Sequence, residues 1–288
     1  MIAANCLSDI TDLDKLVNLI DHHPRLFVLT GAGCSTESGI PDYRDINGEW
    51  KHKKPMQYQD FIHGSDARQR YWARSMLGWS RIANAQPNSA HRALAHLEQV
   101  GLIHQLVTQN VDGLHQKAGS RRVIDLHGRL DTVDCLECRG RLSRMAFQEI
   151  LQSLNPDFQD YIAINAAPDG DVQLEDVNFS RFQIPSCQRC GGILKPSVVF
   201  YGEVVPRSRI ELSLKRLETA AALLIVGSSL MVFSGYRFVR AALAQHKPVA
   251  AVNLGRTRAD DQLTLKISAP CGQTLSSLES HFSVHKPY

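Results

Sequence analysis

Four cysteines in two C-x-x-C pairs, Cys135-Leu-Glu-Cys138 and Cys187-Gln-Arg-Cys190, are the residues of this chain whose type and spacing point most directly to chemistry. Two such knuckles can close a tetrahedral thiolate site, which Zn²⁺ accepts at no cost from its filled d shell. Glycines follow each knuckle (Gly140; Gly191 and Gly192) and supply turns that bring backbone amides toward sulfur. The interval between the pairs is longer than in ordinary zinc ribbons, and a disulfide or two plain thiol pairs are the competing readings. One zinc per chain is expected. Four thiolates leave no open coordination position, so its role would be structural. Cys6, Cys34 and Cys271 stand alone.

A second group of polar side chains follows short apolar runs. In "VTQNVDGLHQKAG", Gln109, Asn110 and Asp112 come directly after a strand-like segment. Amides and a carboxylate there suit ribose hydroxyls and a carboxamide, though the same residues serve equally as turn formers and helix caps. In "DLHGRLD", His127 follows another short strand. A histidine at the ligand edge of a sheet is a candidate base near neutral pH, while an isolated one is more often structural. In "LTGAGCSTESGIPDYRD", Gly31 and Gly33 follow the apolar run Arg25 to Thr30. A strand, a glycine turn and a following helix would present backbone N–H groups to a phosphate. The third glycine, Gly39, breaks the standard dinucleotide fingerprint.

These residues need elements to hold them. The runs "RLFVLT", "HQLVTQNVDG", "VIDLHG", "ALLIVGSS" and "PVAAVNLG" read as short buried strands. Helical patterns lie between them, as in Ser89 to Gly101 and Gly235 to His246. A first helix is expected over residues 11 to 21, opened by Thr11-x-x-Asp14 with Leu13, Leu16, Val17 and Ile20 on one face. Strands alternating with helices predict an α/β fold: a Rossmann-like, mainly parallel sheet with helices on both faces. Ligands of such sheets sit outside the carboxyl ends of the strands, and the glycine-rich and polar segments fall on that edge.

Two segments break the alternation. Residues 46–85 are aromatic-rich, with Trp72, Met76 and Trp79 at i, i+4 and i+7, a packing stripe. Residues 134–194 carry the cysteine pairs and the loop-like "NAAPDGDVQLED". Both are assigned to a smaller lobe, helical over 46–85 and zinc-binding over 134–194. Residues 1–45, 86–133 and 195–288 would form the nucleotide-binding domain.

Composition narrows the function classes. The chain has 288 residues, 43% hydrophobic and 21% charged, with a formal net charge of +3, too small to imply nucleic acid. "KHKK" at Lys51 to Lys54 reads as a solvated loop. No stretch has the roughly 20 apolar residues of a membrane helix. Asp9, Asp12 and Asp14 near the start argue against a targeting peptide, so a cytoplasmic monomer is expected.

Taken together, "GAGCSTESGIPDYRD", "TQNVDGLHQKAG", "DLHG", the two C-x-x-C pairs, "LKPSVVFYGE", "GSSLMV" and "VNLG" resemble, in kind and order, the motifs of sirtuins, NAD⁺-dependent protein deacylases. The resemblance runs from about residue 25 to 275. "PDYRD", "RQRYWARSMLGW", "AGSRR", "APDGDV" and "SGYRF" resemble class II, the branch of the fourth mitochondrial sirtuin of animals.

The resemblance implies roles. The loop from Gly31 through Ala32 and Gly33 to Asp42, Tyr43 and Arg44 would wrap the NAD⁺ pyrophosphate and nicotinamide ribose. Gln109 would bind the ribose, with Asn110 and Asp112 in the nicotinamide pocket. Gly227, Ser228 and Ser229, then Asn253, Leu254 and Gly255, and later Cys271, would hold the adenosine half. His127 would be the general base, with Asn110 the second catalytic residue. Val198, Val199, Phe200 and Gly202, facing Leu230 to Val232, would bracket an acyl-lysine peptide as an added β-strand. Products would be nicotinamide, free lysine and O-acyl-ADP-ribose.

The chain departs from the family pattern "GTSLxVxP" at Ser228 and Ser234, and Tyr43 stands where many relatives have phenylalanine. Tyr71 and Arg74, at i and i+3, have the spacing with which class III sirtuins read acidic acyl groups, so a preference for bulky or carboxylated acyl chains is expected of them. The same NAD⁺ site could instead transfer ADP-ribose to a protein, and a non-enzymatic zinc-ribbon module is the reading from a different class.

Overall fold

The computed structural model describes residues 5–284 except 52–54, 160, 162–164, 167–168, 171 and 174–176. Most of the "KHKK" segment, and part of "NAAPDGDVQLED", therefore lie outside the described residues. In chain order the first elements are α1 (Asn5–His22), β1 (Leu26–Thr30), α2 (Tyr58–His63), α3 (Ser65–Asn84), α4 (Ser89–Gln99), β2 (Ile103–Thr108), α5 (Leu114–Lys117) and β3 (Val123–Asp125). Next come β4 (Gly128–Cys135), β5 (Arg141–Ser143), α6 (Arg144–Leu154), β6 (Asn165–Ala166), β7 (Val172–Gln173) and β8 (Leu194–Val198). The last are α7 (Arg207–Glu218), β9 (Ala222–Val226), α8 (Phe233–Ala244), β10 (Val249–Val252), β11 (Leu265–Ile267) and α9 (Cys271–Val284).

Six strands form a parallel sheet in the order β11-β10-β9-β1-β2-β3. Counted within this sheet alone, that is the doubly wound order 3-2-1-4-5-6, whose direction of progress reverses at β1. All five residues of β1 are buried, as a central strand covered on both faces requires. Alternation sorts them. Leu26 and Val28 pack with Leu16 and Ile20 of α1, Leu94 and Leu97 of α4 and Leu275 of α9. Phe27 and Leu29 pack on the opposite face with Leu217 of α7 and Phe238 and Val239 of α8.

Register fixes where the site must be. Thr30 pairs with Val226 and with Thr108, Thr108 with Asp125, and Val226 with Val252. Five strands thus end in one row, and Gly31, Gln109, Gly227 and Asn253 all leave the sheet at the same edge.

The second lobe is built around a three-stranded antiparallel sheet, β5-β4-β8. Its core joins Trp72 and Met76 of α3 to Phe147 and Leu151 of α6, with Val133, Leu194 and Phe200 between. The aromatic stripe is therefore packing, as its spacing predicts. The boundaries drawn at 133/134 and 194/195 fall inside or at the edge of strands of this small sheet.

Two local expectations differ. The first helix begins at Asn5 instead of residue 11, because nothing in "NCLSDI" (no glycine, no proline) stops it. In the loop-like stretch, β6 and β7 pair as a short antiparallel ribbon.

Candidate active site

The glycines after β1 serve a purpose their sequence did not disclose. A Cβ on Gly31 would lie 2.7 Å from the Ser228 Cβ, and one on Gly33 would lie 3.0 Å from the Gly227 Cα. Gly227 itself has φ +61°, and a Cβ there would sit 2.2 Å from the Cys34 amide nitrogen. The loops after β1 and β9 therefore cross in backbone contact, which only glycine permits. The amides of Gly31 and Gly33 donate to Val226 O (3.0 Å) and Gly227 O (2.8 Å). The expectation that these two N–H groups face a phosphate is corrected: they tie loop to loop. No α-helix follows either; two 3₁₀ turns, Ala32–Cys34 and Thr36–Ser38, take its place.

This crossing floors a cleft of two joined cavities. One, about 450 Å³, is lined by Gly31, Ala32, Gly33, Asp42, Tyr43 and Arg44, by Gly227, Ser228 and Ser229, and by Asn253, Leu254, Gly255 and Cys271. The other, about 370 Å³, is lined by Asp112, Val198, Val199, Phe200 and Gly202 and by Val232 and Ser234. Ala32, Tyr43, Gln109, Asn110, His127 and Val232 line both, so the two meet at His127.

The tautomer of His127 follows from its partners. Nδ1 lies 2.9 Å from Gln109 O, a carbonyl that can only accept, so Nδ1 carries the proton. Nε2 is then a lone pair, 2.8 Å from the Ser234 hydroxyl, which donates to it. Burial pushes the His127 pKa down to about 4, keeping the ring neutral. It is a base in its accepting form, with its ring plane fixed from behind.

The neighbouring amides are oriented just as definitely. Asn110 Nδ2 donates to Gly31 O and to Ser35 Oγ, both 3.0 Å, so the carbonyl oxygen is what Asn110 can offer a ligand. Ser35 Oγ donates to Asp112 Oδ2 (2.7 Å), and the Leu114 amide donates to Asp112 Oδ1 (2.9 Å). Burial raises the Asp112 pKa. Gln109 Oε1 accepts from Ser228 Oγ (2.7 Å), which leaves its NH₂ group for a ligand. Ser35, which no spacing singled out, is the hub of this network. Its place became visible only when β1 and β2 were set side by side.

The wall made by Val198 to Gly202 is fastened from behind. Glu203 accepts from the Phe200 amide (2.8 Å) and from the buried Lys195 ammonium (3.0 Å), which also donates to Val198 O. Beside the larger cavity, Tyr43 meets Trp50 and Tyr201 edge-on, and the Arg44 guanidinium lies over Trp50 at 4.0 Å. Asp42 is ion-paired to Lys51.

Tyr71 and Arg74 are not brought to this cleft. Tyr71 is buried among Phe61, Trp72 and Phe200 in the core of the second lobe, and Arg74 Nε donates to Val172 O of the β6–β7 ribbon. Neither is among the residues lining the cavity that Val198 to Gly202 border, although Tyr71 packs on Phe200, which is. The i, i+3 spacing put them on one helical face, where Tyr71 is buried in the core and Arg74 is half-buried against the ribbon.

The four knuckle cysteines do converge. Cys135 Sγ lies 3.5 Å from Cys190 Sγ and Cys138 Sγ lies 3.7 Å from Cys187 Sγ, and all four sulfurs fall within 4.8 Å of one another. A tetrahedron with Zn–S bonds of about 2.3 Å has edges of about 3.8 Å. Disulfides, at about 2.05 Å, are excluded. The donor set fits one structural zinc.

The Sir2 family model matches residues 31–234. Over 273 residues the chain is 57% identical to the NAD-dependent protein deacetylase of Bordetella bronchiseptica, covering 95% of this chain and 99% of the relative. It is 47% identical to the mitochondrial NAD-dependent protein lipoamidase sirtuin-4 of Bos taurus, covering 92% and 85%. Among solved structures, a Sir2 protein with a p53 peptide and NAD⁺ superposes with a TM-score of 0.75 at 27% identity, covering 94% of this chain and 99% of that one.

Proposed function

The chain belongs to the Sir2 family, and on that premise we propose that it is an NAD⁺-dependent protein-lysine deacylase. The observation that carries this reading is His127, neutral, lining both cavities, and with its Nε2 lone pair on the Ser234 hydroxyl.

The cavity next to the loop crossing would hold NAD⁺. Gly31, Gly33 and Gly227 line it at the loop crossing, and the Gln109 NH₂ and Asn110 carbonyl suit a ribose and a carboxamide. When bound, NAD⁺ supplies a ribose whose bond to nicotinamide can be broken and to which the acyl oxygen can pass. The chain's residues do the rest. Asn110, Ser35 and Asp112 hold the nicotinamide side rigid; Val198 to Gly202, pinned by Lys195 and Glu203, present an edge to which an extended peptide can add. His127 Nε2 accepts a proton from a ribose hydroxyl, exchanging it for the bond from Ser234. Positioning of the two substrates accounts for much of the rate. The cysteine site holds the second lobe in shape.

The finer assignment is to class II, close to sirtuin-4. It is supported by the identity with the bovine protein and by Tyr43 and Ser234 at the site. Among the described residues no helix is long and apolar enough to cross a membrane; a cytoplasmic enzyme is the reading we propose.

Nicotinamide release tests the function. It should require both NAD⁺ and an acylated lysine peptide, and His127→Ala should slow it roughly a hundred- to ten-thousandfold. Release that ignores the acyl group would contradict the proposal.

A further inference from the structure

Beneath the floor of the cleft lies a second cluster of soft ligands that the reaction does not use. We propose that Cys34, His91 and His115 form a metal site, separate from the four-cysteine site, that takes a thiophilic d¹⁰ cation, Zn²⁺ or Cu⁺. Cys34 closes the 3₁₀ turn after β1, His91 lies on α4 and His115 on α5, and all three are buried. One ligand atom from each lies within 4.8 Å of the others, and the two imidazole rings stand 4.8 Å apart. Tetrahedral or trigonal S/N sites have ligand–ligand edges of about 3.5–4 Å, a gap that side-chain rotation closes.

The hydrogen bonds fix the His115 imidazole as a metal ligand is fixed. The Thr30 hydroxyl donates to Thr108 Oγ1 (2.8 Å), so Thr30 Oγ1 accepts from His115 Nε2 (2.9 Å). His115 Nδ1 is then a lone pair, and it is buried without any hydrogen-bond partner. An orphaned buried acceptor is costly, and a bound cation would satisfy it. His91 Nδ1 is 2.9 Å from Asn88 Oδ1 and accepts from the Asn88 amide at 3.3 Å, and its Nε2 has Ser35 Oγ at 3.5 Å. His115 thus anchors one N–H and offers the other nitrogen, the pattern of a ligating histidine, and His91 would ligate through Nε2 with its proton on Nδ1 facing Asn88 Oδ1. Cys34 supplies the thiolate, and binding releases its proton to solvent.

Access is from the cleft. Ser35 lines the cavity and joins Asn110 to Asp112, so the cation would lie just under the groups that shape the nicotinamide side. Occupancy is expected to slow turnover. That consequence rests on the deacylase reading; binding does not.

The test uses the full chain carrying one zinc. Dialysis against Zn²⁺, and separately against Cu⁺ under anaerobic conditions, is followed by metal analysis, with Co²⁺ as the spectroscopic probe. A second equivalent is expected, with a thiolate-to-cobalt absorption that disappears in Cys34→Val and Cys34→Ala while the first equivalent stays. A stoichiometry of one, or a second equivalent that survives both Cys34 variants, overturns the site. Nicotinamide release should fall at least severalfold on loading and recover with a chelator; binding without slowing overturns the coupling to turnover.

Discussion

Ser234 donates a 2.8 Å hydrogen bond to Nε2 of His127, the one nitrogen of that ring left free to accept. A proline at this position, as in the common family pattern, has no hydroxyl to give. The bond favours the neutral ring and, on the proposed mechanism, would hold the acceptor until a ribose hydroxyl replaces it. Ser234→Ala should therefore leave turnover within about tenfold of the parent and move the acid limb of kcat/KM upward, toward the ordinary imidazole value near 6.5. An unchanged limb would show that the bond does not tune the base.

The same histidine links pH to stability. Its folded pKa, about 4, lies below the unfolded value, so between pH 6.5 and 4 the unfolded chain binds the extra proton. This contribution is fully present above pH 6.5 and is lost as pH falls through that window. Urea unfolding of His127→Gln should lose stability less steeply than the parent over the same range; equal slopes would contradict the assignment.

Gly235 lies against Gln109. An added Cβ would sit 2.6 Å from Gln109 Nε2, so Gly235→Ala should displace the amide from Ser228 and the ribose side. The expected result is a KM for NAD⁺ raised on the order of tenfold, about 1.4 kcal/mol, with the KM for peptide little changed. A rise confined to the peptide KM would mean Gln109 serves the other substrate.

Lys195 and Glu203 form a largely buried pair behind the peptide edge. Removing one partner leaves the other charge unpaired, so Lys195→Met should cost about 3–5 kcal/mol of stability, and adding Glu203→Gln should recover part of it. Peptide KM should rise in both variants because the Val198 carbonyl loses the Lys195 ammonium that ties it to Glu203. Thermal melts and peptide titrations at saturating NAD⁺ check this.

Zinc removal should act on the second lobe. Metal analysis should show one equivalent lost in Cys187→Ala, together with loss of peptide turnover, because the knuckles join β4 to the segment leading into β8. Full turnover after zinc loss would contradict a structural role.

The sequence made the sheet legible because its strands are short apolar runs cut off by glycine or polar residues, and that pattern is local. It also placed Gln109, Asn110, His127 and the cysteine quartet, whose residue types announce their chemistry. Ser35 stayed hidden, and Ser234 showed only as a departure from a pattern: a serine gains meaning from what tertiary contact puts beside it, here Asp112 and His127. Gly31 and Gly33 were visible as unusual, but their reason, the crossing against Gly227, joins residues nearly two hundred positions apart. Tyr71 and Arg74 mark the converse limit. Helical spacing says which side chains share a face and nothing about whether that face meets cavity or core.

The central claim is most directly tested by mass spectrometry of acyl-lysine peptides incubated with the chain and NAD⁺. Acetyl, long-chain, lipoyl and carboxylated acyl groups would be compared, with His127→Ala as control. The account predicts loss of the acyl group matched one for one by O-acyl-ADP-ribose, and neither in the variant. NAD⁺ consumed with every acyl group retained, and a mass gain of ADP-ribose on an acceptor, would contradict it.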